Sequence, residues 1–169
     1  MFIHLFFYLF IIPAVVYSQC YKTLSHTWIC DNHLKSNNLT YKTILNNQQF
    51  ENIFISNYEL SIFKIDNYPI TLRLLNASGN QIEKIIITSK NRDISNLREL
   101  ILQSNNLQQF NIDTIVLPNS LEKISLANNQ LKILDARIFS HLKNLIEIDL
   151  TNNQLKRILP QLLFNRNIK

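Results

Sequence analysis

Catalysis needs a nucleophile, an acid–base pair, a metal cage or a phosphate cradle, and each leaves a residue pattern. Beyond the first apolar stretch the imidazoles are His26, His33 and His141. Two of them follow a serine, in Ser25-His26 and Ser140-His141. Catalytic partners meet in space, so adjacency in sequence is no signal for a pair. His141 lies in a return segment and is expected to be exposed. Neither Gly-x-Ser-x-Gly nor His-Glu-x-x-His occurs, so the signatures of a nucleophile elbow and of a helical zinc site are missing. Glu147 and Asp149 flank Ile148; on a strand both carboxylates would point to solvent rather than into a pocket. Gly79 is the single glycine, which excludes a glycine-rich loop around phosphate. The chain reads as a non-enzyme, with no catalytic, cofactor-binding or metal site expected.

The two cysteines, Cys20 and Cys30, follow an apolar leader. Met1 to Tyr17 is almost wholly apolar and ends in Val16-Tyr17-Ser18, small or β-branched at the positions that precede a cut. Residues 1–18 therefore read as a secretory signal peptide cleaved ahead of Gln19. The rival reading is an uncleaved anchor, since no Lys or Arg precedes the run. No later stretch is long and apolar enough to span a bilayer, so the cleaved chain is expected to be secreted, with no stable membrane insertion. In that compartment a close, even pair of cysteines forms a disulfide. The competing metal site would need His26 and His33 as further ligands, at a spacing that matches no common zinc pattern. Asn38-Leu-Thr and Asn76-Ala-Ser are N-glycosylation sequons. The net charge of +5 is spread along the chain with no basic run interleaved with aromatics, so no nucleic-acid partner is expected.

These groups must be positioned by a repeat. Leu145, Ile148, Leu150, Asn153 and Leu155 stand at offsets 0, 3, 5, 8 and 10. The same offsets hold for Leu121, Ile124, Leu126, Asn129 and Leu131, and for Leu97, Leu100, Leu102, Asn105 and Leu107. Earlier copies are Leu72, Leu75, Ala77, Asn80 and Ile82, and Phe50, Ile53, Ile55, Tyr58 and Leu60. Each copy adds an apolar residue three places on, at Phe63, Ile85, Phe110, Leu134 and Ile158. Copies begin 22, 25, 24 and 24 residues apart. This is the L-x-x-L-x-L-x-x-N-x-L pattern of leucine-rich repeats. One copy cannot bury its own apolar face, so copies must stack into a solenoid. The recurring Asn marks an inward turn whose backbone groups lack sheet partners; its amide both donates and accepts. Asn80, Asn105, Asn129 and Asn153 are expected to form a ladder, with Tyr58 leaving the first turn irregular. Phe139, Leu142 and Leu145 have helical or turn spacing and are expected to fill the convex side.

Residues 50–169 resemble extracellular leucine-rich-repeat proteins, most closely in Phe139-Ser-His-Leu-Lys-Asn-Leu-Ile-Glu-Ile-Asp-Leu-Thr-Asn-Asn-Gln-Leu155. The cysteine pair with Trp28-Ile29-Cys30, followed by Phe50 to Leu60, resembles the N-terminal cap of secreted insect proteins of this kind, the mosquito immune type among them. The resemblance implies an α/β repeat solenoid, a horseshoe with short parallel strands on its concave face and irregular or helical turns on its convex face. It also implies a recognition module in innate immunity or at a cell surface. The organisation is then a signal peptide at 1–18, a disulfide-containing cap at 19–49 and about five repeats over 50–169. No C-terminal cap is recognised, and the last repeat is incomplete. Either the chain continues in a longer protein, such as a transmembrane receptor ectodomain, or its open end serves self-association. An extracellular-matrix or adhesion component is a further alternative.

Residues between the inward positions face the concave surface. They are Glu51, Asn52, Phe54 and Ser56; Arg73, Leu74, Asn76 and Ser78; Arg98, Glu99, Ile101 and Gln103; Glu122, Lys123, Ser125 and Ala127; and Ile146, Glu147, Asp149 and Thr151. Mixed charge with the apolar groups Phe54, Leu74, Ile101 and Ile146 suits a protein ligand.

Overall fold

The computed structural model describes residues 20–22, 27–30, 51–55, 59–65, 70–87, 96–156 and 167–168. The expected signal peptide, most of the cap with Asn38, and Ser56 and Tyr58 lie outside the described residues.

An apolar side chain at every second position can be buried only if the chain runs as a strand with one face inward. That is how each repeat begins. Among the described residues twelve strands occur in chain order: β1 Cys20–Lys22, β2 Thr27–Cys30, β3 Asn52–Ile55, β4 Ile62–Ile65, β5 Leu74–Asn76, β6 Lys84–Ile87, β7 Glu99–Ile101, β8 Gln109–Phe110, β9 Lys123–Ser125, β10 Ile133–Leu134, β11 Glu147–Asp149 and β12 Asn167–Ile168. An eight-stranded sheet runs β1-β2-β3-β5-β7-β9-β11-β12. Its β1–β2 pair is antiparallel and every later pair is parallel. Parallel neighbours require a full return crossover between them, and the period of the repeat supplies it. Register follows the repeat: Leu75, Leu100, Ile124 and Ile148 are successive partners. All four are at most 3% exposed.

The return path carries a second set of strands. β4 pairs with β6 and β8 with β10, both in parallel, and an isolated bridge joins Ile87 to Ile115. Ile62-Phe63-Lys64-Ile65 and Lys84-Ile-Ile-Ile87 are rich in β-branched residues, which suit a pleated, half-buried surface. Phe63 and Ile65, with Ile85 and Ile87, are buried. The helical part of the expected α/β class is represented among the described residues by one 3-10 turn, Ala136–Phe139. Phe139, Leu142 and Leu145 are all buried there, held by turns rather than by helix. Asp135 caps the 3-10 turn, accepting from the Arg137 N–H at 3.1 Å. The Arg137 guanidinium, hydrogen-bonded to the same carboxylate, holds Asp135 below the ordinary carboxylate range.

Between the two strand sets the chain turns inward at the recurring Asn. Asn105 Nδ2 donates to Leu102 O at 3.0 Å and to Gln103 O at 3.2 Å in its own coil. It also donates to Ala77 O of the preceding coil at 3.1 Å, and its Oδ1 accepts from the Ile82 N–H at 3.0 Å. Asn129 repeats the pattern on Leu126, Ala127, Leu102 and the Leu107 N–H. Asn153 repeats it on Leu150, Thr151, Leu126 and the Leu131 N–H. Asn80 donates to Ala77, Ser78 and the preceding coil's Ile55 carbonyl. Asn80, Asn105 and Asn129 are buried, and Asn153 is half-buried.

The residue before each ladder Asn is left-handed: Gly79 φ 66°, Ser104 φ 57°, Asn128 φ 53° and Asn152 φ 55°. Gly and Asn adopt this conformation readily, whereas other residues incur a cost near 1–2 kcal/mol. The chain's single glycine thus falls where it relieves strain. Among the described residues of the first coil Glu59 also has a positive φ, 53°. Ser104 is the position open to improvement. Ser104→Gly should raise stability by about 0.5 kcal/mol and Ser104→Val should lower it by more than about 1 kcal/mol, measured by urea denaturation.

Candidate protein-binding face

With Leu75, Leu100, Ile124 and Ile148 turned inward, the intervening residues line the solvent face of the long sheet. They fall into rows across the strands. The first row is Glu51, Arg73, Arg98, Glu122 and Ile146, joined by backbone hydrogen bonds of 2.7–2.8 Å. The second row is Asn52, Leu74, Glu99, Lys123 and Glu147. The third is Phe54, Asn76, Ile101, Ser125 and Asp149. A fourth holds Ser78, Gln103, Ala127 and Thr151. The register aligns the residues expected on the concave face in these rows, but Ala127 is only 3% exposed and adds no accessible surface, and Ser56 lies outside the described residues.

The rows create pairings that no single repeat contains. Arg98 Nη1 stands 3.0 Å from Glu122 Oε1, Lys123 Nζ 3.9 Å from Glu99 Oε1, and Arg73 Nε 4.0 Å from Glu51 Oε2. Such exposed pairs each contribute only about 0–1 kcal/mol. Their larger effect is on the charge of the face. Glu51, Arg73, Arg98 and Glu99 cancel on the β3 to β7 side. On the β9 to β11 side, among the described residues, Glu122, Glu147 and Asp149 stand against Lys123, three carboxylates to one ammonium. The described part of this end is acidic, although the chain as a whole has a net charge of +5.

Apolar groups sit at both ends of the face. Phe54, Leu74 and Ile101 are half-buried around Asn76, and Ile146 is 50% exposed beside the acidic pair. Between Ile101 and Asp149, Ser125 Oγ is buried without a hydrogen-bond partner. Asp149 Oδ1 accepts from the Thr151 N–H at 3.0 Å and from its hydroxyl at 2.8 Å, so the carboxylate is fixed in orientation.

Among the described residues Ser140 and His141 are not paired with each other. His141 is half-buried rather than exposed: its Nε2 lies 3.0 Å from Leu117 O. Because a carbonyl only accepts, Nε2 carries the proton. Ser140 Oγ turns instead to Arg137 O at 2.8 Å, so the two neighbours serve different carbonyls. Among the described residues no group of three or more His, Cys, Asp or Glu side chains could hold a metal ion. No described helix is long and apolar enough to cross a membrane.

Two overlapping stretches, residues 95–155 and 119–165, match the leucine rich repeat family. The match supports a leucine-rich-repeat protein, and the same strand register and amide ladder extend N-terminal of it through β5 and Asn80. No curated protein matches the chain. Repeats of this type form a scaffold, typically non-enzymatic, for protein–protein interaction.

Proposed function

We propose that the chain is a secreted recognition protein, without enzymatic activity of its own, that binds another protein on the solvent face of the long sheet. The observation that carries this reading is the continuity of that face. Five successive strands in one register present rows of mixed charge and half-buried apolar groups, with an acidic, apolar-tipped end at Ile146, Glu147 and Asp149. Apolar anchors inside a polar surround are the usual anatomy of a protein interface. The apolar leader at 1–18 supports secretion, and innate immune or cell-surface recognition is the role that its resemblances favour. The backbone register sets Cys20 opposite Cys30 in the antiparallel β1–β2 ribbon. Directly opposed Cα atoms lie about 4.5–5.5 Å apart, within the span of a disulfide, so this pair closes the N-terminal end of the sheet in the proposed mature form.

Expression from the chain's own leader should release protein beginning at Gln19 into the medium. Confinement to membranes would replace the secreted reading with that of an anchored ectodomain. A partner cross-linked to the secreted chain in extracellular fluid should then bind the double variant Glu147→Lys/Asp149→Lys at least tenfold more weakly, about 1.4 kcal/mol. Lys132→Glu, exposed on the return path, should leave binding unchanged. Equal affinity of all three proteins would remove the face from the interaction.

A further inference from the structure

We propose that Asn76 carries an N-linked glycan, which covers the β3 to β7 part of the face and leaves the β9 to β11 part for the partner. The inference rests on the secreted reading above, because the sequon Asn76-Ala77-Ser78 is modified only in the secretory pathway. The sequon alone is a short motif. The fold adds where its atoms stand. Asn76 occupies an outward position of β5, half-buried, while Ala77 between the two sequon residues is fully buried. Asn76 Oδ1 accepts from the Ser78 N–H at 2.9 Å, which engages the carbonyl half of the amide and not Nδ2. Among the described residues Nδ2 donates to no acceptor, and it is not among the buried unpartnered atoms. By contrast, Nδ2 of Asn80, four residues on, is buried on three carbonyls and has no room for a substituent.

The chemistry requires that free Nδ2. It loses a proton to solvent and forms a bond to C1 of the first sugar, as the C1–O bond to a lipid-linked diphosphate donor breaks and the diphosphate leaves. Once attached, the sugar lies between Phe54 and Ile101, the partners on either side of Asn76 in its row. Leu74 is the diagonal neighbour of both. Aliphatic and aromatic groups of this kind can pack against the apolar face of a pyranose, so the glycan would cover surface that is otherwise half-exposed.

The full chain should be secreted in an Asn38→Gln background, which leaves one sequon, and treated with a glycosidase specific for N-linked glycans. A downward mass step, mapped to the Asn76 peptide, is expected. Asn76→Gln and Ser78→Ala should both abolish the step, and Ser78→Thr, which keeps a hydroxyl in the sequon, should retain it. A secreted chain with an unmodified Asn76 would overturn the proposal and leave the secreted reading intact. Retention of the chain in the cytosol would overturn both.

Discussion

Asn129→Ala should destabilise the protein by roughly 2–4 kcal/mol, seen as a lower urea midpoint. The side chain makes four hydrogen bonds, three from Nδ2 and one into Oδ1. Their partners are buried backbone groups that cannot reach water once the amide is gone. Leaving such groups unpaired costs about 1–3 kcal/mol each, less whatever relaxation recovers. Asn129→Asp should be worse at neutral pH, because it aims a carboxylate at three carbonyl oxygens. Its behaviour with pH separates the ladder from simple packing. Burial and those carbonyls push the folded-state pKa of the introduced carboxyl above its unfolded value near 3.9. Between the two values the folded state then binds more protons than the unfolded state, so stability falls as pH rises through that window. Below it the protonated carboxyl can donate again and part of the loss returns. A variant whose deficit stayed constant from pH 3 to pH 8 would show that the ladder's donors do not matter.

The second large effect should come from the aromatic pair beneath the return path. Phe110 and Phe139 are fully buried, and their rings lie 6.1 Å apart at 13°. They belong to adjacent coils, one in β8 and the other in the 3-10 turn. Phe139→Ala should cost about 3–5 kcal/mol through lost burial and the remaining cavity. A double-mutant cycle with Phe110→Ala should show about 0.5–1.5 kcal/mol of coupling beyond packing area. Additive losses would mean that the rings serve their own coils separately. Phe139→Leu, which keeps most of the volume, should recover most of the stability.

The inward residues could be read from the chain because their signal is doubly periodic. An alternation of two along the strand recurs at 22–25 residues, so Leu100, Ile124 and Ile148 identify one another. The Asn ladder could be read for the same reason: one residue type solves one backbone problem at every turn. The left-handed position before it could not, because Gly79, Ser104, Asn128 and Asn152 share a conformation and not a side chain. The return strands were hidden differently. Phe63, Ile85, Phe110 and Leu134 mark them as apolar, but runs of two to four residues are too short to separate strand from turn by period. The ion pairs of the face, such as Arg98 with Glu122, join residues in different repeats. They emerge only once register has been set. His141 is half-buried rather than exposed, and its partner, the Leu117 carbonyl, is a backbone group that no side-chain pattern marks.

The amide ladder also has a direction. The ladder residues Asn80, Asn105, Asn129 and Asn153 each reach back to a carbonyl of the coil before, and Asn105, Asn129 and Asn153 are seen to accept from an N–H there. A coil is therefore completed by residues translated after it. On the ribosome the newest turn would always hold bare backbone groups until about 24 further residues had emerged, a lag set by the repeat period. Growth of this molecule is vectorial, each turn finishing its predecessor, and a stalled chain would present one unfinished turn rather than a wholly unfolded domain.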